Sequence, residues 1–312
     1  MPPTETPASD EIEPIDAPAP DRNKPKARRR IRRRILRSTA VLPAAFTLLN
    51  GLAGFGAIHF AAKSTFGATL DATAIWNLRI AAGLIFAAML CDMLDGRLAR
   101  MTRSTSDFGA QLDSLCDMVS FGTAPALIVL RLTISTLRSQ VDFLPIERMV
   151  WCVAGIYVAC AALRLARFNV ETEQDESAHM DFHGLPSPAA AACLSSLVLL
   201  FGHVWDQKAD AHWSWLPSNE LMIGVSAALP VIMLGCALLM VSRYRYPHIV
   251  NQYIRGKRSF SYLVKLVFIV LAAFMSPWLT LAAVVLVFVI SAPLRTAWQL
   301  ARRRRRERPV SS

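Results

Sequence analysis

The chain has 312 residues, 54% of them hydrophobic, with a mean hydropathy of +0.36 and a formal net charge of +11. Apolar runs of about 20 residues recur along it, which excludes an ordinary water-soluble domain and indicates an all-α, polytopic membrane bundle. The positive charge is gathered in short clusters at 24–37, 97–103, 243–258 and 302–308, next to those runs. Clusters so placed set topology and meet anionic lipid, and no nucleic acid is expected as a partner.

Residues 1–23 are rich in Pro, Ala, Asp and Glu and poor in large apolar side chains, the composition of a disordered tail. They do not read as a cleavable signal peptide. Lys24 to Arg37 reads either as an interfacial helix on anionic lipid, with Ile31, Ile35 and Leu36 dipping into the interface, or as the positive flank of the first span. Eight hydrophobic spans follow, at about 41–62, 76–101, 108–133, 149–168, 188–205, 221–242, 260–275 and 277–295. Ser276-Pro277 separates the last two, which form a tight hairpin or one broken unit. Eight spans put both termini on one side. The loop after the sixth span carries Arg243, Arg245, Arg255, Lys257 and Arg258, and the C-terminal tail carries Arg302 to Arg306. The positive-inside rule therefore places both termini, and the turn after the second span, on the cytoplasmic face. Trp205, Trp213 and Trp215 suit an interfacial belt on the opposite face. The six cysteines (91, 116, 152, 160, 193 and 236) lie in apolar stretches without a CxxC pair, and are expected to be free packing residues.

Chemistry concentrates between the second and third spans. Asp92 and Asp95 are three apart, and Asp113 and Asp117 are four apart, so each pair shares one helix face. Two helices joined by the polar turn at 102–106 would aim all four carboxylates at a common point, an all-oxygen site for hard divalent cations. Carboxylates are costly in a bilayer, and crowding four of them adds repulsion that divalent ions relieve. Gly96 lets a ligand approach the helix backbone, Ala99 keeps the same face shallow, and Gly109 opens the facing helix. Arg100 offers a fork of donors to a phosphate. A polar vestibule or a cation pathway is the competing reading of the acidic cluster. A pathway predicts acidic residues spread through the bilayer, whereas these four gather near one face beside Arg100.

The stretch from Asp92 to Asp117 resembles the signature of the CDP-alcohol phosphotransferase family, D-x2-D-G-x2-A-R-x8-G-x3-D-x3-D, with all eight fixed positions present. The resemblance implies an integral membrane enzyme that transfers a substituted phosphate from a CDP-linked donor to an alcohol and releases CMP. It implies that Asp92, Asp95 and Asp113 bind divalent metal, Mg2+ or Mn2+ and two ions. Asp117 would complete the site and act as general base, while Gly96, Ala99, Arg100 and Gly109 would line the CDP pocket. Further stretches are similar to the phosphatidylserine synthases of this family: Val41 to Phe55, Ser120 to Ala126, Leu163 to Asn169, His183 to Pro188, and Leu239 to Ser242 leading to Tyr246-Pro247. Many relatives carry Pro-Asn where this chain has Pro43-Ala44, which leaves Thr47 or Asn50 to supply a polar contact there.

On that resemblance the expected donor is CDP-diacylglycerol and the expected acceptor L-serine, in a homodimer of a bacterial plasma membrane. The implied organisation is a tail with a basic juxtamembrane segment at 1–37, the family's membrane domain at 38–250, a transmembrane hairpin at 251–297 and a basic tail at 298–312. Serine is a zwitterion and needs a cation for its carboxylate. Arg164 and Arg167, three apart at the end of the fourth span, are the candidates, with Asn169 and the His183–Pro188 loop for the remaining contacts. Glycerol 3-phosphate, inositol phosphate and choline are the alternative acceptors, and a phosphorylated one would want a larger cationic cluster.

Overall fold

The computed structural model describes residues 26–63, 70–102, 107–138, 143–174, 184–209, 219–242, 244, 246 and 260–306. Among them the chain is helical, without a strand. The helices are α1 (Lys26–Lys63), α2 (Ala72–Thr102), α3 (Asp107–Asp117), α4 (Ala124–Leu137), α5 (Phe143–Gln174), α6 (Ser187–Ala209), α7 (Asn219–Val241), α8 (Phe260–Met275) and α9 (Pro277–Arg306). A six-residue π-helical turn, Met118–Thr123, joins α3 to α4, so Asp107–Leu137 is one continuous span.

Among the described residues, seven helices are long and apolar enough to cross a membrane. The remaining expected span, α8, is a helix of 16 residues, about 24 Å long against a hydrocarbon core of about 30 Å. Pro277 starts α9 and has no N–H to extend α8, so the chain breaks at Ser276, whose own N–H still reaches the Ala272 carbonyl at 2.9 Å. The basic segment from Lys26 is helical and continuous with the first span.

The bundle has α4 and α6 at its centre. Nearly every residue of α4 is buried, and α6 contributes Ala190, Ala191, Ala192, Cys193 and Leu194 to the same core. Small residues matter because lipid tails give no hydrophobic drive between helices; close backbone approach and dispersion hold them together. α1 packs along α2, α5 against α7, and α2 and α9 against α6. Large apolar side chains such as Leu52, Phe55, Val231, Phe268 and Phe274 point outward, as expected where the surrounding solvent is lipid. Several hydroxyls inside the bundle donate to helix carbonyls: Thr136 to Leu132, Ser196 to Cys193, and Thr133 across to Ser226 of α7.

Candidate metal and nucleotide site

The end of α2 and the whole of α3 meet at one end of the bundle. Asp92, Asp95 and Asp113 bring carboxylate oxygens to within 4.8 Å of one another. Asp95 is buried and the other two are half-buried. At that separation each like-charged pair repels by about 3.5 kcal/mol at an effective dielectric of ~20. The Thr47 hydroxyl and the Gly96 backbone hydrogen-bond Asp95. Even so, Asp95 Oδ2 and Asp113 Oδ1 are buried with no hydrogen-bond donor among the described residues. Oxygens left in that condition suit a hard cation. Opposite ligands of an octahedral ion with bonds of about 2.1 Å lie about 4.2 Å apart, so small rotations of these side chains would close the cluster on a divalent ion.

Asp117, one turn beyond Asp113, is fixed from α1. Asn50 is fully buried, and its Nδ2 donates to Asp117 Oδ1 at 2.9 Å. Its backbone carbonyl accepts from Ser120 Oγ at 2.9 Å. Two glycines permit this approach. A Cβ on Gly51 would lie 2.8 Å from Cys116 Sγ, and one on Gly54 would lie 2.3 Å from Ser120 Oγ and 2.7 Å from its Cα. Of the two residues expected to offer a polar contact here, Asn50 touches Asp117, while Thr47 shares its hydroxyl between Asp95 and the Pro43 carbonyl at 3.1 Å.

The π-turn directly follows Asp117, and its cause is local. Pro125 has no N–H for the carbonyl of Phe121, and its ring crowds that carbonyl. The backbone widens instead, so that the Ala124 N–H reaches back five residues to Val119. Tyr157 of α5 donates its hydroxyl to the orphaned Phe121 carbonyl at 3.1 Å. Such turns re-aim side chains within a helix and are frequent at functional sites.

Around the carboxylates, Gly96 has open space where a side chain would stand. Ala99 and Gly109 are half-buried. Arg100 is exposed, and its Nε donates to the Gly96 carbonyl at 2.9 Å, so the side chain folds back along its own helix. On α5, Arg164 is half-buried and acts electrostatically on both Asp117 and Asp92. Its Nη1 donates to Ser187 Oγ at 2.7 Å. Arg167 is exposed and does not share that position. Asn169 exchanges hydrogen bonds with Ser114 of α3, at 3.0 and 3.1 Å, one residue past Asp113. Sequence reasoning did not single out Ser114 or Tyr157, because their partners are 55 and 36 residues away. His183, Trp213, Trp215, Arg103 and the basic residues Arg243, Arg245, Arg255, Lys257 and Arg258 lie outside the described residues; Trp205 is half-buried and stacks on Phe201.

Residues 40–239 match the family described as CDP-alcohol phosphatidyltransferase. The chain is 32% identical over 206 residues to the CDP-diacylglycerol–serine O-phosphatidyltransferase of Mycobacterium tuberculosis, covering 64% of this chain and 62% of that protein. It is 36% identical over 171 residues to the protein of the same name from Helicobacter pylori, covering 54% and 61%. For the Bacillus subtilis protein of that name the figures are 29% over 207 residues, covering 66% and 90%. The match thus spans less than two thirds of the Mycobacterium tuberculosis and Helicobacter pylori proteins.

Proposed function

The chain belongs to the CDP-alcohol phosphatidyltransferase family, and we propose that it transfers the phosphatidyl group of CDP-diacylglycerol to the hydroxyl of L-serine, giving phosphatidylserine and CMP. The observation that carries this reading is the carboxylate cluster of α2 and α3, with two buried oxygens that have no donor among the described residues. The choice of acceptor rests on the relatives, which are named for serine.

In this reading Asp92, Asp95 and Asp113 hold two divalent ions, Mg2+ or Mn2+, whose charge offsets that of the donor's pyrophosphate. Gly96 and Ala99 leave room for the nucleotide against α2, Gly109 leaves it against α3, and Arg100 swings from the Gly96 carbonyl to a phosphate oxygen. Asn50 holds Asp117 Oδ1, so the carboxylate presents Oδ2 to the serine hydroxyl. Asp117 takes the hydroxyl proton as the serine oxygen bonds to the phosphorus that carries diacylglycerol. The bond from that phosphorus to the pyrophosphate bridge breaks, and CMP leaves with the bridging oxygen. Arg164 pairs with the serine carboxylate, Asn169 and Arg167 border the entry, and positioning with charge neutralisation supplies most of the rate. The site faces the cytoplasm and so, with α8 and α9 crossing as a pair, do both termini; the enzyme works as a homodimer.

The test is CMP release by detergent-purified protein given CDP-diacylglycerol, a divalent ion and one acceptor at a time: serine, glycerol 3-phosphate, inositol phosphate or choline. Release with serine alone, lost on chelation, is the expected result. Release with another acceptor overturns the assignment of serine. No release with any acceptor, from protein that is folded, overturns the enzymatic reading.

A further inference from the structure

Arg164, the half-buried arginine of α5 that acts on Asp92 and Asp117, is tied, step by step, to a helix outside the family match. Arg164 Nη1 donates to Ser187 Oγ, and Ser187 is fully buried at the start of α6. The short segment of backbone before it, 184–186, is pinned to the end of α7. Gly184 N–H donates to the Tyr244 carbonyl at 2.9 Å and Leu185 N–H to the Leu239 carbonyl at 3.0 Å. Gly184 sits at φ +91°, and a Cβ there would lie 2.4 Å from the Met240 carbonyl oxygen. Both the left-handed backbone and the close approach require glycine. Two residues past Tyr244, the buried Tyr246 hydroxyl donates to the Val289 carbonyl of α9 at 3.0 Å, with its ring tilted on Phe288 at 5.7 Å between centroids. The family match stops at residue 239, so Tyr246 and α9 lie beyond it.

We propose that Tyr246 is a positioning residue: anchored on α9, it holds the 184–187 segment against α7, and so fixes Arg164 beside the carboxylates for the acceptor's carboxylate group. The proposal rests on the reading of Arg164 as the acceptor's cation. An arginine side chain has several rotatable bonds, and one donor committed to a buried hydroxyl removes most of that freedom while the other N–H groups remain for a planar anion. The final hairpin thereby acts on acceptor affinity while remaining distant from the reacting atoms.

Tyr246→Phe removes the hydroxyl and keeps the ring on Phe288. The expected result is a rise in KM for serine of roughly 3- to 10-fold, with kcat and KM for CDP-diacylglycerol within about two-fold. Ser187→Ala raises KM for serine at least as much. The double variant is no worse than Ser187→Ala alone, because cutting the last link makes an earlier cut irrelevant. Amide exchange over 184–190 quickens in Tyr246→Phe and not in Ser187→Ala. Additive effects in the double variant, or a fall in kcat with unchanged KM, would make Tyr246 a merely structural residue. Unchanged exchange in Tyr246→Phe overturns the bracing itself, whatever the activity. If the wild-type protein releases CMP with a different acceptor, the reading of Arg164 fails, while the exchange data still decide whether the brace exists.

Discussion

The two ends of α2 treat charge in opposite ways. Near its start, Arg79 forms an ion pair with Asp206 of α6, lies against Gly202 and sits 5.9 Å from the Trp76 ring centroid. About 20 Å along the same helix, Asp92 and Asp95 join Asp113, and buried oxygens of that cluster have no donor among the described residues. In the first case the fold supplies the counter-charge. In the second it assembles like charges and supplies one half-buried arginine at the margin. A fold bears that repulsion where a ligand relieves it, so the contrast separates charge that holds helices together from charge that, in the proposed function, meets substrate and ion.

The contrast breaks most sharply at Asp117. Asp117→Asn keeps the volume and a hydrogen bond to Asn50 but removes the base. CMP release should fall about 10²- to 10⁴-fold, the usual worth of a positioned general base, with the helical circular dichroism unchanged. Activity within about ten-fold of wild type would remove Asp117 from proton transfer.

A smaller loss is expected where the cluster is held in place and not made. Gly54→Ala drives a methyl group to 2.3 Å from Ser120 Oγ and 2.7 Å from the Ser120 backbone. α1 must move off the π-turn, which costs about 1–3 kcal/mol as overpacking does. Asn50 then loses its grip on Asp117, and kcat should drop roughly 10- to 100-fold, as misplacement by an ångström does. Unchanged kcat in a folded variant would show that Asp117 needs no support from α1.

How much of this was legible in the sequence follows from the range of the forces involved. Bilayer thickness sets span length, so most spans were readable, and helical spacing placed the two carboxylate pairs. The expected span at 260–275 is a helix over those same residues, and Pro277 marks its end in the sequence as in the structure. The π-turn had a local cue in Pro125, but its stability depends on a tyrosine from α5. Arg164 and Arg167 shared a helix face in the pattern, yet packing against α6 drew only Arg164 inward. The pairing of Ser114 with Asn169, and of Ser187 with Arg164, is set by how helices dock, which no local pattern records.

The carboxylate cluster also makes a prediction about stability that needs no substrate. In chelator, the repulsion among Asp92, Asp95 and Asp113 is offset only in part, by Arg164 at the margin and by proton uptake. Asp113→Asn removes one charge and should raise the apparent unfolding midpoint of chelator-treated protein by about 2–6 °C. Added divalent ion should stabilise the wild-type protein more than the variant. A lower midpoint for the variant in chelator would mean that the carboxylates are satisfied within the fold, and the contrast between the ends of α2 would vanish.

The smallest effect belongs to the paired end. Asp206→Ala leaves Arg79, whose side chain is 21% exposed and whose stem keeps its packing on Gly202. Because Asp206 is itself 51% exposed, the pair is worth at most about 1 kcal/mol. The midpoint should shift by about 2–4 °C or less, with KM and kcat as in the wild-type protein, since the pair is far from the carboxylates along α2. The salt dependence sharpens the point: high salt weakens this exposed pair and should narrow the gap between wild type and Asp206→Ala. If Asp206→Ala changed catalysis, the two ends of α2 would be coupled, and charge at the far end could no longer be read as purely structural.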